Sequence, residues 1–320
     1  MITVTNVAYG GWLSCIELTN GSMNLVVTTD VGPRVIRFGF VSQHNEFWED
    51  KTASGLTGGD EWRVYGGHRL WHAPEDVQRT YCPDNNPVQA DIVKNTVILK
   101  QTVEQLTGIE KRMKITMMDT QPVVSVVHYL INRNETSVEL APWALTAMAA
   151  GGIAMLPHPA RGEHPKNLLP SHTLSIWAYT DMQLKCWDWT RQYVILRHGM
   201  ISDSPQKIGM ASTDGWIAYW RQNHLFVKLF FPDLSCRYPD RNSTAEIFAN
   251  RDMVELETLG PLSRVSPGGI AVHEEMWCLF DGIPEPLTVN DVDNLIAPQI
   301  KNLKTSLSGR DNDRREGESP

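Results

Sequence analysis

Ile109-Glu110-Lys111-Arg112-Met113-Lys114-Ile115-Thr116-Met117 decides the fold. Ile109, Lys111, Met113, Ile115 and Met117 share one side of an extended chain, and Glu110, Arg112, Lys114 and Thr116 share the other. Side chains alternate across a strand with period two, so the segment reads as a strand with one face in a core and one in water. Runs rich in Val, Ile, Thr and aromatic residues recur at 24–29, 35–40, 96–102, 123–132, 216–221, 225–231 and 273–280, separated by Gly, Pro, Asn and Asp clusters. That punctuation belongs to antiparallel sheet and not to βαβ units, and long helical periodicity is missing. The pattern predicts an all-β chain of two large antiparallel sheets, packed so that their side chains interdigitate. One short helix is expected at 290–296.

Length and composition bound the rest. A chain of 320 residues, 42% hydrophobic, can bury a sizeable core as a single domain, here expected over 1–304. The segment 305–320 carries Arg310, Asp311, Asp313, Arg314, Arg315, Glu316 and Glu318, with Leu307 as its only large apolar side chain. It cannot offset its ordering entropy and is expected to be a disordered tail. A net charge of -8 and the absence of a clustered Lys/Arg face exclude a phosphate-neutralising nucleic-acid binder and favour a neutral ligand. The five cysteines, Cys15, Cys82, Cys186, Cys236 and Cys278, are widely spaced, odd in number and free of any CxxC pair, so neither a zinc site nor a disulfide framework is expected. Met1 runs directly into Ile2-Thr3-Val4, with no basic segment followed by an apolar one, and no apolar run is long enough to span a bilayer. The expectation is a cytoplasmic protein with no membrane partner.

The chemistry is densest in Tyr65-Gly66-Gly67-His68-Arg69-Leu70-Trp71-His72-Ala73-Pro74-Glu75. His68 and His72 stand four apart, but Arg69 follows the first where a metalloprotease helix carries a glutamate, and the Gly-Gly and Ala-Pro flanks leave little room for a helix. No metal and no other cofactor is expected. On an extended loop, Arg69 offers a fixed hydrogen-bond fork, His68 or His72 a proton carrier near neutral pH, and Trp71 an apolar platform for a sugar ring. The plainer account has one histidine satisfied in the core and Trp71 simply buried; clustered polar groups after a tight glycine turn favour a pocket instead.

A second cluster lies far downstream in Met253-Val254-Glu255-Leu256-Glu257-Thr258-Leu259-Gly260-Pro261-Leu262. In a strand, Glu255 and Glu257 share a face about 6 to 7 Å apart at Cα, close enough for each to raise the other's pKa and for one to act as a general base. A solvated outer face is the alternative, made less attractive by the apolar residues around them. Trp143 and Thr146, His158, Lys207, and Tyr238 with Asp240 are further polar or aromatic groups at strand ends, where sites on β-scaffolds collect. Among eleven tryptophans, most are expected to fill the core and some to hold carbohydrate.

Taken together, Asp30-Val31-Gly32-Pro33-Arg34-Val35-Ile36, Gly66-Gly67-His68-Arg69-Leu70-Trp71-His72, Pro142-Trp143-Ala144-Leu145-Thr146 with Gly151-Gly152, and Glu255-Leu256-Glu257-Thr258-Leu259-Gly260-Pro261 resemble the galactose mutarotase-like superfamily. More narrowly, they resemble an uncharacterised bacterial branch of it. The resemblance covers nearly the whole chain apart from the tail, and implies a β-supersandwich. It also implies aldose 1-epimerase chemistry, in which a glutamate takes the anomeric hydroxyl proton while a histidine protonates the ring oxygen. Leu256-Glu257-Thr258 resembles the triplet that carries the family's base, making Glu257 the first choice and Glu255 the second. The central segment at Trp143 to Thr146 holds no histidine where the family has one, so the acid falls to His68 or His72. Arg69, Trp71, Glu255, Trp143 and Lys207 are then the expected substrate contacts, and a monosaccharide or short glycan the expected partner. Two other readings stand beside this one: a carbohydrate-binding protein without catalysis, and a polysaccharide lyase, which would need a basic cleft that an acidic chain does not offer.

Overall fold

Ile109–Met117 is a strand, and its outward positions alternate as the sequence requires, with Met113, Ile115 and Met117 wholly buried and Lys114 exposed. The computed structural model describes residues 1–119, 121–201 and 204–317, with 308–317 as backbone alone. All the runs read as strands form strands, with ends displaced by at most a few residues. Ile109–Met117 lies in a ten-stranded antiparallel sheet whose order is Trp187–Trp189, Tyr193–Arg197, Ile153–Pro157, Trp216–Arg221, His224–Phe230, Ile270–Phe280, Val123–Asn132, Ile109–Met117, Thr96–Lys100 and Gln89–Val93.

The second sheet is also antiparallel, with eleven strands. Its order is Thr3–Tyr9, Trp12–Thr19, Met23–Thr28, Arg34–Phe40, His68–Ala73, Val138–Ala149, Met253–Leu259, Ala245–Ala249, Gln206–Met210 and Leu174–Ile176, while Ser263–Val265 pairs with the start of Val138–Ala149. The two sheets pack face to face. Phe38 and Phe47 from one meet Phe226 and Trp277 from the other, with ring centroids 5.6 to 6.0 Å apart. Burying rings of this size removes roughly 150–250 Å² each from water, so at about 25 cal/mol per Å² these contacts are among the larger stabilising terms.

The outer face of the ten-stranded sheet is closed by the C-terminal segment. Thr288 begins it with a capping box to Asp291, and the chain continues through Val292–Ile296 into the helix Ala297–Gly317. Ile296, Ile300 and Leu303 bury against Trp216, Val227 and Leu229. This helix takes in part of the charged segment 305–320, of which 318–320 lie outside the described residues. Among the described residues, no helix is long and apolar enough to cross a membrane.

Candidate functional site

Gly66 and Gly67 set the geometry. Their φ angles are 100° and 68°, and a Cβ on either would lie 2.2 Å from the Trp48 carbonyl oxygen or 2.1 Å from that of Val35. Only glycine tolerates both the left-handed backbone and that approach. Gly67 N–H donates to Trp48 O at 2.8 Å and Gly67 O accepts from Ala147 N–H at 2.9 Å, which delivers the following residues into the middle of the eleven-stranded sheet. The sequence suggests a loop for this motif; instead His68–Ala73 is a strand, buried at all six positions. Arg69 pairs with Leu145 and Trp71 with Trp143, and across the next ladder Leu145 pairs with Glu257 and Ala147 with Glu255.

Strand alternation divides the motif between two environments. Arg69, Trp71, Trp143, Lys207, Glu255 and Glu257 all line a pocket of about 850 Å³ on the outer face of the sheet. Arg69 donates to Glu255 from both terminal nitrogens, at 2.6 and 3.4 Å, and its guanidinium lies 4.4 Å from the Trp71 ring centroid. Lys207 Nζ donates to Glu257 Oε2 at 2.8 Å and sits between Trp143 and Trp177, 4.5 and 4.7 Å from their ring centroids. Trp143 Nε1–H donates to the same carboxylate oxygen at 2.8 Å. Glu255 and Glu257 therefore share a face, as strand spacing requires, but each is tied to its own cation.

Sequence reading missed Glu246, which pairs with Glu257 across the ladder and lies 2.8 Å from Lys207 Nζ. Burial raises the proton affinity of both carboxyls, more strongly for Glu246, and Lys207 opposes the rise. Glu257 is the acceptor for both Lys207 and Trp143. Burial also works against the Lys207 charge, but two carboxylates outweigh it and hold the ammonium above its usual range. Trp62, Trp177, Tyr81 and Tyr179 complete the walls and were likewise missed. They come from loops, whose positions no strand periodicity reveals. Glu246 had a signal: it is the charged alternate position in Ala245-Glu246-Ile247-Phe248-Ala249.

His68 and His72, the expected acids, are on the opposite side of their strand, facing the other sheet. His68 Nδ1 lies 2.8 Å from Thr146 Oγ1 and its Nε2 lies 2.7 Å from His128 Nε2. Beyond them, Lys228 Nζ is 2.9 Å from Glu275 Oε1, and Glu275 Oε2 accepts from Trp277 Nε1–H at 2.8 Å. Burial holds His68 well below the ordinary imidazole pKa, so it is neutral at physiological pH. His72 lies 3.6 Å from Glu104, which Lys111 neutralises at 2.5 Å. Among the described residues, no histidine lines the pocket. The reason is the pleat: Arg69 and Trp71 cannot face the pocket together with their even-numbered neighbours.

The softer candidates scatter. Thr146 belongs to the inter-sheet cluster through His68. His158 pairs with His172 at 3.1 Å beside a separate cavity bordered by Arg161 and Arg191. Tyr238 packs with Trp71 and Trp143 and accepts from Asp233 N–H at 2.8 Å. Asp240 sits at a positive-φ turn, its carboxyl pKa raised by burial.

The fold has close parallels among solved structures at very low sequence identity. A putative aldose 1-epimerase from Klebsiella pneumoniae subsp. pneumoniae superposes with a TM-score of 0.60 at 11% identity, over 88% of this chain and 84% of that one. A galactose mutarotase-like protein from Lactobacillus casei gives 0.55 at 12% identity, over 83% and 100%. A TPR-domain containing protein from Parabacteroides distasonis gives 0.57 at 12% identity, over 91% of this chain; the chain spans about half of that longer protein, 54%. Neither a protein-family model nor a curated protein sequence matches. The architecture is the galactose mutarotase-like β-sandwich of two large antiparallel sheets.

Proposed function

We propose that the pocket on the outer face of the eleven-stranded sheet binds a saccharide ring. The observation that carries this reading is the pairing of indole walls with hydrogen-bonding ion pairs in one concavity. A sugar has apolar C–H faces and a rim of hydroxyls; Trp62 and Trp177 offer the former a surface, and Arg69, Glu255 and Glu257 offer the latter donors and acceptors. Asp50, Glu75, Asp252, Glu255 and Glu257 line the pocket against Arg69 and Lys207, so the ligand carries no negative charge. That balance speaks against a lyase acting on uronates. The fold likeness to a putative aldose 1-epimerase supports a carbohydrate ligand without fixing a reaction.

A second reading, anomer exchange, is favoured by the raised proton affinity of Glu257. Glu257 would take the hydroxyl proton, and the acid would come from a group other than His68 or His72, both of which face away. Titration of the protein with a panel of neutral aldoses by NMR or calorimetry tests the first reading. Saturable binding that Trp143→Ala weakens at least about 10-fold is expected; no binding to any member removes it. Polarimetry tests the second, with a loss of about 10²-fold or more expected in Glu257→Gln while binding is retained. Equal rates in the two proteins end the catalytic reading and leave the binding one.

A further inference from the structure

Away from the residues that line the saccharide pocket, two side chains of the loop after Arg34–Phe40 and one from the start of His224–Phe230 converge on one point. His44 Nε2 lies 2.9 Å from Glu46 Oε1, and His224 Nδ1 lies 2.5 Å from the same oxygen. The three donor atoms all fall within 4.8 Å of one another. The two imidazoles are stacked, 4.5 Å between centroids and 19° between planes, so their nitrogens address a common position beside the carboxylate. We propose that His44, Glu46 and His224 form a binding site for a divalent transition-metal ion of the zinc class.

Each donor is held in place independently. The loop bearing His44 and Glu46 folds over Gly39, where a Cβ would meet the His44 carbonyl oxygen at 2.6 Å. Asn45 fastens the same loop, accepting from Phe38 and Phe47 N–H and donating to the Ile36 carbonyl. His224 follows a tight hairpin in which Gln222 and Asn223 both have positive φ, and Phe40 packs edge-on against its ring at 4.9 Å. Its second nitrogen, Nε2, faces Asp281 Oδ1 at 3.5 Å. A carboxylate on the far nitrogen is the usual outer partner of a metal-bound imidazole, since it fixes the tautomer that leaves the other nitrogen's lone pair free.

Two imidazoles and one carboxylate suit zinc and its neighbours, and three protein donors leave a position for water or another ligand. Donor atoms of a tetrahedral zinc ion stand about 3.3 Å apart, so the observed 2.9 and 2.5 Å spacings must open by roughly 0.4 and 0.8 Å. His44, 28% exposed, can supply the first movement, and a turn of the Glu46 carboxylate the second. His44 also gives the ion a route from solvent. Arg221 lies 4.0 Å from the other Glu46 oxygen, which leaves Oε1 as the ligating atom and moderates the site's affinity. The inter-sheet trio His68, His128 and Glu275 has similar donors, but the Lys228 ammonium 2.9 Å from Glu275 occupies the place of a cation and no side chain there reaches solvent.

Cobalt(II) is the probe, added to chelator-treated full-length protein and followed by its visible absorption, with zinc competition and calorimetric stoichiometry. One equivalent should bind and be displaced by zinc. His44→Ala, at the half-exposed position where folding is least at risk, should weaken binding at least about 10-fold while leaving the metal-free melting temperature unchanged. Glu46→Gln should weaken binding by at least as much. His128→Gln should bind as wild type does. Absence of a saturable equivalent, or binding that survives His44→Ala, or binding lost only in His128→Gln, overturns the site.

Discussion

The two faces of His68–Ala73 treat buried charge in opposite ways. Toward the other sheet, Lys228 meets one carboxylate, Glu275; burial dominates and its pKa is lowered. Toward the pocket, Lys207 meets two carboxylates, Glu246 and Glu257, and although burial opposes its charge the pKa is raised. Both ammonium groups are almost wholly enclosed. The number of opposing charges, not the degree of burial, decides which effect wins. The inner cluster is a sealed, neutral-histidine network that joins two sheets; the outer one keeps fixed charges around a concavity large enough for a ligand.

The contrast is sharpest in acid, where the largest effect is expected. His68, His128 and His273 all have pKa values lowered by burial, His273 to about 3 from an ordinary 6.5. The sign follows directly: the unfolded chain takes up protons that the folded chain refuses, so stability is complete above about 6.5 and is lost as pH falls toward about 3. Each such histidine contributes up to about 1.4 kcal/mol per pH unit within its window. Glu275, its pKa lowered by Lys228 and its histidine neighbours against the effect of burial, acts in the same direction at lower pH. Urea melts at closely spaced pH values should show the slope, and His128→Gln should reduce it. A flat profile between pH 7 and 5 would contradict the sealed-network account.

Next in size are the two lysines. Lys228→Met leaves Glu275 enclosed with only neutral donors and should cost about 3 to 5 kcal/mol. Lys207→Met leaves Glu246 and Glu257 free to share a proton, since burial already raises the proton affinity of both, so about 1 to 3 kcal/mol is expected. Denaturant midpoints at unchanged m-value measure both. Equal costs would erase the distinction between the faces. The smallest effect is expected from Arg69→Lys, which keeps a charge beside Glu255 but gives up the fork and the stacking on Trp71. Neutral-sugar binding should weaken by about 10-fold, roughly 1.4 kcal/mol, with little change in the melting temperature.

What the sequence revealed depended on whether alternation was visible in residue types. Ile109–Met117 has water on one side, so charged and apolar residues alternate and the strand is plain. His68–Ala73 has core on one side and an aromatic pocket on the other; all six positions are buried, and no polarity contrast marks it as a strand. The same blindness placed His68 and His72 beside Arg69 and Trp71 in one imagined site. Glu255 and Glu257 were legible because apolar neighbours isolate a pair at strand spacing, and Lys207 because it stands near a strand end; Trp143, read as a strand end, lies in the middle of Val138–Ala149. Their pairing as a cation held by Glu257 and Trp143 needed the ladder between Val138–Ala149 and Met253–Leu259, a contact more than a hundred residues long in sequence.

Gly66 and Gly67 also govern the parity of everything that follows them. A single residue inserted between Gly67 and His68 would keep the strand's length and hydrogen bonds but exchange its faces, turning two imidazoles into the pocket and a guanidinium and an indole into the core. Two inserted residues would restore the original assignment at the cost of a longer turn. Length variation at this corner is therefore tolerable only in even steps, and an odd step would trade the ligand-facing residues for those that lock the sheets together.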